Sequence, residues 1–150
     1  MRSFFDTNVL VYLFDKDAPE KQARARVLLQ NESEAGQVVL STQVLQEFYV
    51  AVTRKLATPL QHAEAEQAVR HFATLPVAQI ETSLILNAIQ RSYLLRLSFW
   101  DALIVSTALR SGAGRLLTED LQHGRVIEGM RIENPFLTTA RSKDDPVRTP

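Results

Sequence analysis

The chain has 150 residues, 45% hydrophobic and 23% charged, and its 17 basic and 17 acidic side chains cancel to zero net charge. That profile fits a single soluble globular domain with one substantial core, and no uninterrupted apolar stretch is long enough to cross a bilayer. With no cysteine there is no disulfide framework, no thiolate nucleophile and no cysteine-type zinc site.

In chain order, Phe4-Phe5 followed by Asp-Thr-Asn reads as a short buried strand ending in a polar turn. Val9 to Phe14 is expected to form a short helix, despite its β-branched content. Asp6 interrupts the only apolar run near the start, so no signal peptide is expected and a cytoplasmic location follows. Pro19 suits the first turn of a helix from Glu20 to about Leu29, with Ala23, Val27 and Leu28 on one face. Asn31 to Gln37 reads as a polar loop, Val38 to Leu40 as a second buried strand, and Ser41 or Thr42 as the cap of a helix to about Leu56. Thr58-Pro59 breaks the chain, and helix resumes from Gln61 to Thr74.

Pro76 to Ile80 is a weaker third strand. Thr82 or Ser83 then caps a helix through about Leu95, with Ile85, Ile89 and Tyr93 at helical spacing. Ser98 opens a helix to Arg110, which Gly112-Ala113-Gly114 ends. Arg115 to Leu117 is a fourth strand, Gly124 to Gly129 a loop with room for an embedded strand, and Arg131 to Glu133 a fifth strand stopped by Asn134-Pro135. The domain is expected to span residues 1–137, and the polar stretch 138–150 reads as a disordered tail. Strands separated by helices imply an α/β fold with a parallel sheet of about five strands and helices on both faces.

Four acids fall on one edge of such a sheet. Asp6 and Asp120 follow strand ends directly, Glu47 projects from an early turn of the helix after the second strand, and Asp101 from the first turn of the helix before the fourth. Each has an ordinary structural alternative. Asp6-Thr7-Asn8 is good turn chemistry, and Ser98-x-x-Asp101 is a capping box. Taken together those alternatives weaken. Asp101 sits in Phe99-Trp100-Asp101-Ala102-Leu103-Ile104-Val105 and Glu47 between Leu45 and Phe48-Tyr49-Val50, so both are expected to be buried, with no evident Lys or Arg partner. Two carboxylates about 4 Å apart repel by ~4 kcal/mol at an effective dielectric near 20, and a cation removes that penalty. All-oxygen ligation points to Mg²⁺ or Mn²⁺ rather than zinc. Such a site supports phosphodiester hydrolysis without a nucleophilic side chain or histidine, and His62, His71 and His123 are dispersed. Thr7, Asn8 and Thr118 are candidates to orient the carboxylates, with simple turn and cap bonding as the alternative.

The neutral balance lends no support to nucleic-acid binding, although an acidic centre can mask a basic rim. Arg54, Lys55, Arg91, Arg96, Arg110, Arg115 and Arg125 are available for one, and Tyr12 and Phe14 for base stacking.

The ordered set Phe5-Asp6-Thr7-Asn8-Val9-Leu10, Glu47, Phe99-Trp100-Asp101-Ala102-Leu103-Ile104 and Leu117-Thr118-Glu119-Asp120-Leu121 resembles a PIN domain. In compact single-domain form the chain is similar to VapC-type toxins of toxin–antitoxin pairs, over about Met1 to Leu137. The resemblance implies a three-layer α/β/α sandwich and a metal-dependent endoribonuclease with Asp6, Glu47, Asp101 and Asp120 as its acidic, metal-binding quartet. It also implies Mg²⁺ or Mn²⁺ as cofactor, an RNA substrate, a homodimer, and a cognate antitoxin whose C-terminal segment and arginine reach the acids. Two consecutive acids follow the fourth strand; Asp120 is favoured, with Glu119 as an accessory candidate. The competing readings are a housekeeping RNA-processing nuclease, a non-catalytic PIN-like binding module, and an aspartyl phosphatase or receiver. Asn8 stands where the phosphatases carry a second Asp, and the early acidic pair of a receiver is missing.

Overall fold

The computed structural model describes residues 1–137; the expected tail, 138–150, lies outside them. The chain runs β1 (Arg2–Phe5), α1 (Thr7–Tyr12), α2 (Pro19–Glu34), β2 (Val38–Ser41), α3 (Thr42–Arg54), α4 (His62–Phe72), β3 (Val77–Ala78), α5 (Thr82–Leu95), α6 (Phe99–Arg110), β4 (Ala113–Leu117), β5 (Val126–Ile127) and β6 (Met130–Glu133). The expected elements form, with boundary changes. Asn31 to Glu34 continue α2 rather than opening a loop, because Glu32 is drawn to Ser3 and Arg115 at the start of the sheet.

The strands make one six-stranded sheet in the order β3-β2-β1-β4-β6-β5. The expected parallel sheet of about five strands gains β5, which pairs antiparallel with β6. The two are joined through Glu128 and Gly129, both at positive φ (50° and 89°). A two-residue hairpin needs that handedness to match strand twist, and Gly129 adopts it without a Cβ penalty. All other pairings are parallel.

From β1 the chain steps outward to β2 and β3, then crosses back to β4 on the other side of β1. Right-handed crossovers in opposite directions put their helices on opposite faces of the sheet. The first layer holds α1 to α4; the second holds α5 packed on α6. The main core is built on Phe4, Phe5, Leu40, Phe48, Leu116 and Ile132, all buried. Residues Ala102 to Ala108 of α6 are buried without exception, as its apolar sequence requires. On α2 the buried residue is Ala25, whereas Val27 of the expected face is exposed. The order reverses at β1, so the crevice beyond the carboxyl ends of β1 and β4 is the switch point where ligands bind in open α/β sheets.

Candidate active site

Asp6 ends β1 and caps α1. Its backbone amide still donates to Leu117 of β4 (3.0 Å), so it is held to the sheet while its side chain turns into the crevice. One carboxylate oxygen accepts from the Thr7 amide (2.7 Å) and the other from the Thr118 hydroxyl (2.8 Å). Thr118 is itself buried and its amide donates to Glu133 of β6 (3.0 Å), so one hydroxyl ties the acid to the neighbouring strands. Glu47 projects from α3, accepting from the Thr7 hydroxyl (2.8 Å) and from the Gln43 amide (3.0 Å) one turn earlier. Asp101 lies in the first turn of α6, where its backbone amide donates to the Ser98 cap (3.1 Å). Asp120 follows β4, and one of its oxygens accepts from the Asn8 side chain (3.0 Å).

All four acids, with Thr7 and Asn8, line one cleft of about 750 Å³. Thr118 sits beneath it, and all three polar residues expected to orient the acids bond to them directly. Among the described residues no salt bridge reaches Asp6, Glu47, Asp101 or Asp120. Asp6, Glu47 and Asp120 are held by neutral donors instead, and among the described residues the only cation lining the cleft is Lys55, which caps the end of α3. Among the described residues no three carboxylates, alone or with histidine, stand close enough to form a finished metal cage. The donor set is nevertheless all oxygen, anionic and without cationic compensation, which fits a hard divalent ion such as Mg²⁺ or Mn²⁺.

Burial falls differently from expectation. Asp6 is the deeply buried acid, only 5% exposed, whereas Glu47 and Asp101 are half-buried and Asp120 exposed. Desolvation pushes the Asp6 carboxyl up to about 7; bonds from Thr118 and Thr7 hold it lower, and Asp120 and Glu47 raise it further. Asp101 is also raised, first by burial and then by Asp120 and Glu47, with Ser98 opposing.

Glu119, the other acid after β4, leaves the cleft. It accepts from the Tyr12 hydroxyl (2.7 Å) and pairs with Lys21. The histidines are elsewhere: His62 bonds Tyr49 (2.7 Å) and His123 accepts from the Asn134 amide (3.0 Å). Of the expected basic rim, Arg91 is taken by Glu128, and Arg110 lies by Ser83 and Glu81. Arg115 is tied to Glu32, Glu133 and Ser3 at the start of the sheet. Tyr12 lines the cleft, while Phe14 packs edge-on against Phe48.

Several cleft-lining residues do not stand out in the sequence, among them Asp15, Trp100 and Gln43. Trp100 is 61% exposed on the cleft wall beside Asp101. Gln43 is buried, and its amide nitrogen donates both to Glu47 and to the Trp100 carbonyl (3.3 Å), which joins α3 to the first turn of α6. Its carbonyl oxygen is buried without a partner among the described residues. A glutamine one turn before a glutamate on a helix that follows a strand was the available signal.

The model of the PIN domain family matches residues 3–128, and the chain belongs to that family. Its fold is similar to a protein of a toxin–antitoxin complex from Klebsiella pneumoniae, with 20% identity, 89% of this chain and 98% of that one covered, and a TM-score of 0.66. It is also similar to VapC20 of Mycobacterium tuberculosis, described as a sarcin–ricin loop cleaving toxin (24% identity, 76% and 86% covered, TM-score 0.60). A third neighbour, from FitAB bound to a DNA fragment, has 19% identity over 91% and 96% of the two chains, with a TM-score of 0.65. No protein of curated function matches the sequence. Among the described residues no helix is long and apolar enough to cross a membrane.

Proposed function

We propose that the protein is a Mg²⁺- or Mn²⁺-dependent endoribonuclease that hydrolyses RNA phosphodiester bonds and acts as the toxin of a type II toxin–antitoxin pair. The observation that carries this reading is the set of four carboxylates lining one cleft without a cationic partner, one of them buried with its carboxyl raised to about 7. Asp6, Glu47, Asp101 and Asp120 would hold the ion. When bound, a hard divalent cation lowers the pKa of water and offsets negative charge on phosphorus. The chain's own residues supply the rest. Thr7 and Thr118 fix the Asp6 oxygens, Gln43 and Thr7 orient Glu47, and Asn8 orients Asp120. Lys55 and Trp100, on the same cleft wall, offer a phosphate contact and a stacking face for a nucleotide.

Two partners complete the proposal. An antitoxin segment carrying an arginine suits the uncompensated acids, in keeping with the fold shared with members of toxin–antitoxin complexes. A homodimer is proposed through α5, which exposes Leu86 (58%), Tyr93 and Leu94 (both 80%). The direct test is incubation of purified protein with structured RNAs, a sarcin–ricin-type loop among them, with Mg²⁺, Mn²⁺ or EDTA. Cleavage is expected with either metal and absent with EDTA or in D6N and D101N; cleavage that persists in those variants would overturn the assignment.

A further inference from the structure

Glu119 and Asp120 are consecutive acids at the exit of β4, yet only Asp120 lines the cleft. Glu119 is held on the far side of Tyr12. Its two oxygens are occupied by the Tyr12 hydroxyl (2.7 Å) and the Lys21 ammonium, and Lys21 also donates to the Tyr12 hydroxyl (3.1 Å). The ammonium is itself fixed, 4.8 Å from the Tyr12 ring centre and 5.7 Å from that of Phe136, and the two rings meet edge-on at 4.8 Å. Tyr12 belongs to this knot and to the cleft wall at once. Asn8 makes the two acids mechanically dependent. Its side-chain oxygen accepts from the Glu119 amide (3.2 Å), and its side-chain nitrogen donates to Asp120 (3.0 Å).

We infer that Lys21, with Tyr12, is a positioning residue that locks Glu119 out of the acid cleft and so reserves the fourth acidic position for Asp120. The inference rests on the metal-nuclease reading. Glu119 entering the cleft, which Asp15 already lines beside the four acids, would add a carboxylate and strengthen cation binding by charge alone, while pulling Asp120 off its Asn8 contact. Affinity and turnover should therefore move in opposite directions when the lock is opened. Loss of an ordinary packing residue would not produce that divergence, nor would removal of Glu119 repair it.

The test compares the full chain with Lys21→Met, Glu119→Gln and the double variant, by Mn²⁺ titration calorimetry, by kcat and KM on a cleaved RNA, and by thermal melting in EDTA. Lys21→Met keeps the aliphatic stem against Tyr12 and Phe136 but deletes the charge. It is expected to bind Mn²⁺ more tightly, with kcat lowered about tenfold or more and KM changed little. The double variant should recover most of the lost kcat, and the melting shifts of the two single changes should be non-additive without metal. A Lys21→Met enzyme with wild-type kcat, a double variant as impaired as Lys21→Met, or additive melting shifts would each overturn the lock. If the unaltered protein neither binds Mn²⁺ nor cleaves RNA, the metal-nuclease reading fails instead, and the lock falls with it.

Discussion

Replacing Asp6 by Asn should stabilise the metal-free protein at pH 8 while abolishing cleavage. Burial raises the Asp6 carboxyl from 3.8 to about 7. At 1.36 kcal/mol per pH unit, the ionised native state is disfavoured by about 4 kcal/mol relative to a solvated carboxylate. Because the folded pKa is the higher one, the native state keeps its proton longer as pH rises. Below about pH 4 both states are protonated and nothing is lost; between about 4 and 7 stability falls; above 7 the full penalty applies. Asn is neutral throughout. It can accept from the Thr7 amide in place of Asp6, but its nitrogen must donate to the Thr118 hydroxyl, which already accepts from the Asp120 amide (3.0 Å). That less suitable bond offsets part of the gain, leaving about 2–4 kcal/mol at pH 8 and close to none at pH 4. Urea unfolding in EDTA at pH 4, 6 and 8 measures both values. Adding Mn²⁺ should stabilise the wild type and leave the variant unmoved. A D6N protein less stable than wild type at pH 8, or a difference that ignores pH, would refute the claim that Asp6 is a buried, uncompensated acid.

The remaining predictions concern proton competition, the α3–α6 link and the outer face of α5. Asp6 titrates near 7 and Asp101 is raised as well, so Mn²⁺ affinity by calorimetry should fall about tenfold per pH unit below 7, whereas ordinary carboxylates would hold it flat to about pH 5. Gln43→Leu keeps the buried volume but removes the donors to Glu47 and Trp100; kcat should drop about 10–100-fold, with the urea midpoint changing far less. Leu86→Glu combined with Leu94→Glu should convert a dimer to a monomer in size-exclusion chromatography with light scattering, and both sites are exposed enough to spare the core. A dimer that survives both charges would place the interface elsewhere.

The positions of the four acids were legible because alternating strands and helices dictate one ligand-binding edge, and motifs at strand ends and helix starts must fall there. What a linear reading assigns poorly is depth. Asp101 and Glu47 have apolar neighbours in sequence, but helix starts lean toward solvent, and both are half-buried. Asp6 looks like an ordinary turn residue and is nearly inaccessible, because β1 lies between β2 and β4 and the buried Thr118 and the start of α1 close on its carboxylate. Partner choice was equally hidden. Arg115 looked available for RNA until Ser3, beside it across β1 and β4, and Glu32 from the extended end of α2 brought it into a network at the opposite edge. That Asp120 lines the cleft while Glu119 turns to Tyr12 and Lys21 was hidden as well, because no motif connects those partners to either acid.

These observations connect stability to function at a single strand. β1 carries Phe4 and Phe5, both fully buried, and has a parallel neighbour on each side. An unpaired buried carboxylate destabilises its surroundings by several kcal/mol, so it persists only where the local structure is strongly over-determined. Placing Asp6 at the end of the central strand meets that condition and also fixes its oxygens against Thr7 and Thr118. Glu47, Asp101 and Asp120 stand on helix turns and a strand exit nearer to solvent, which screens their charges more than that of Asp6. The metal-free protein should accordingly show its steepest pH response at Asp6, whose carboxyl burial raises to about 7.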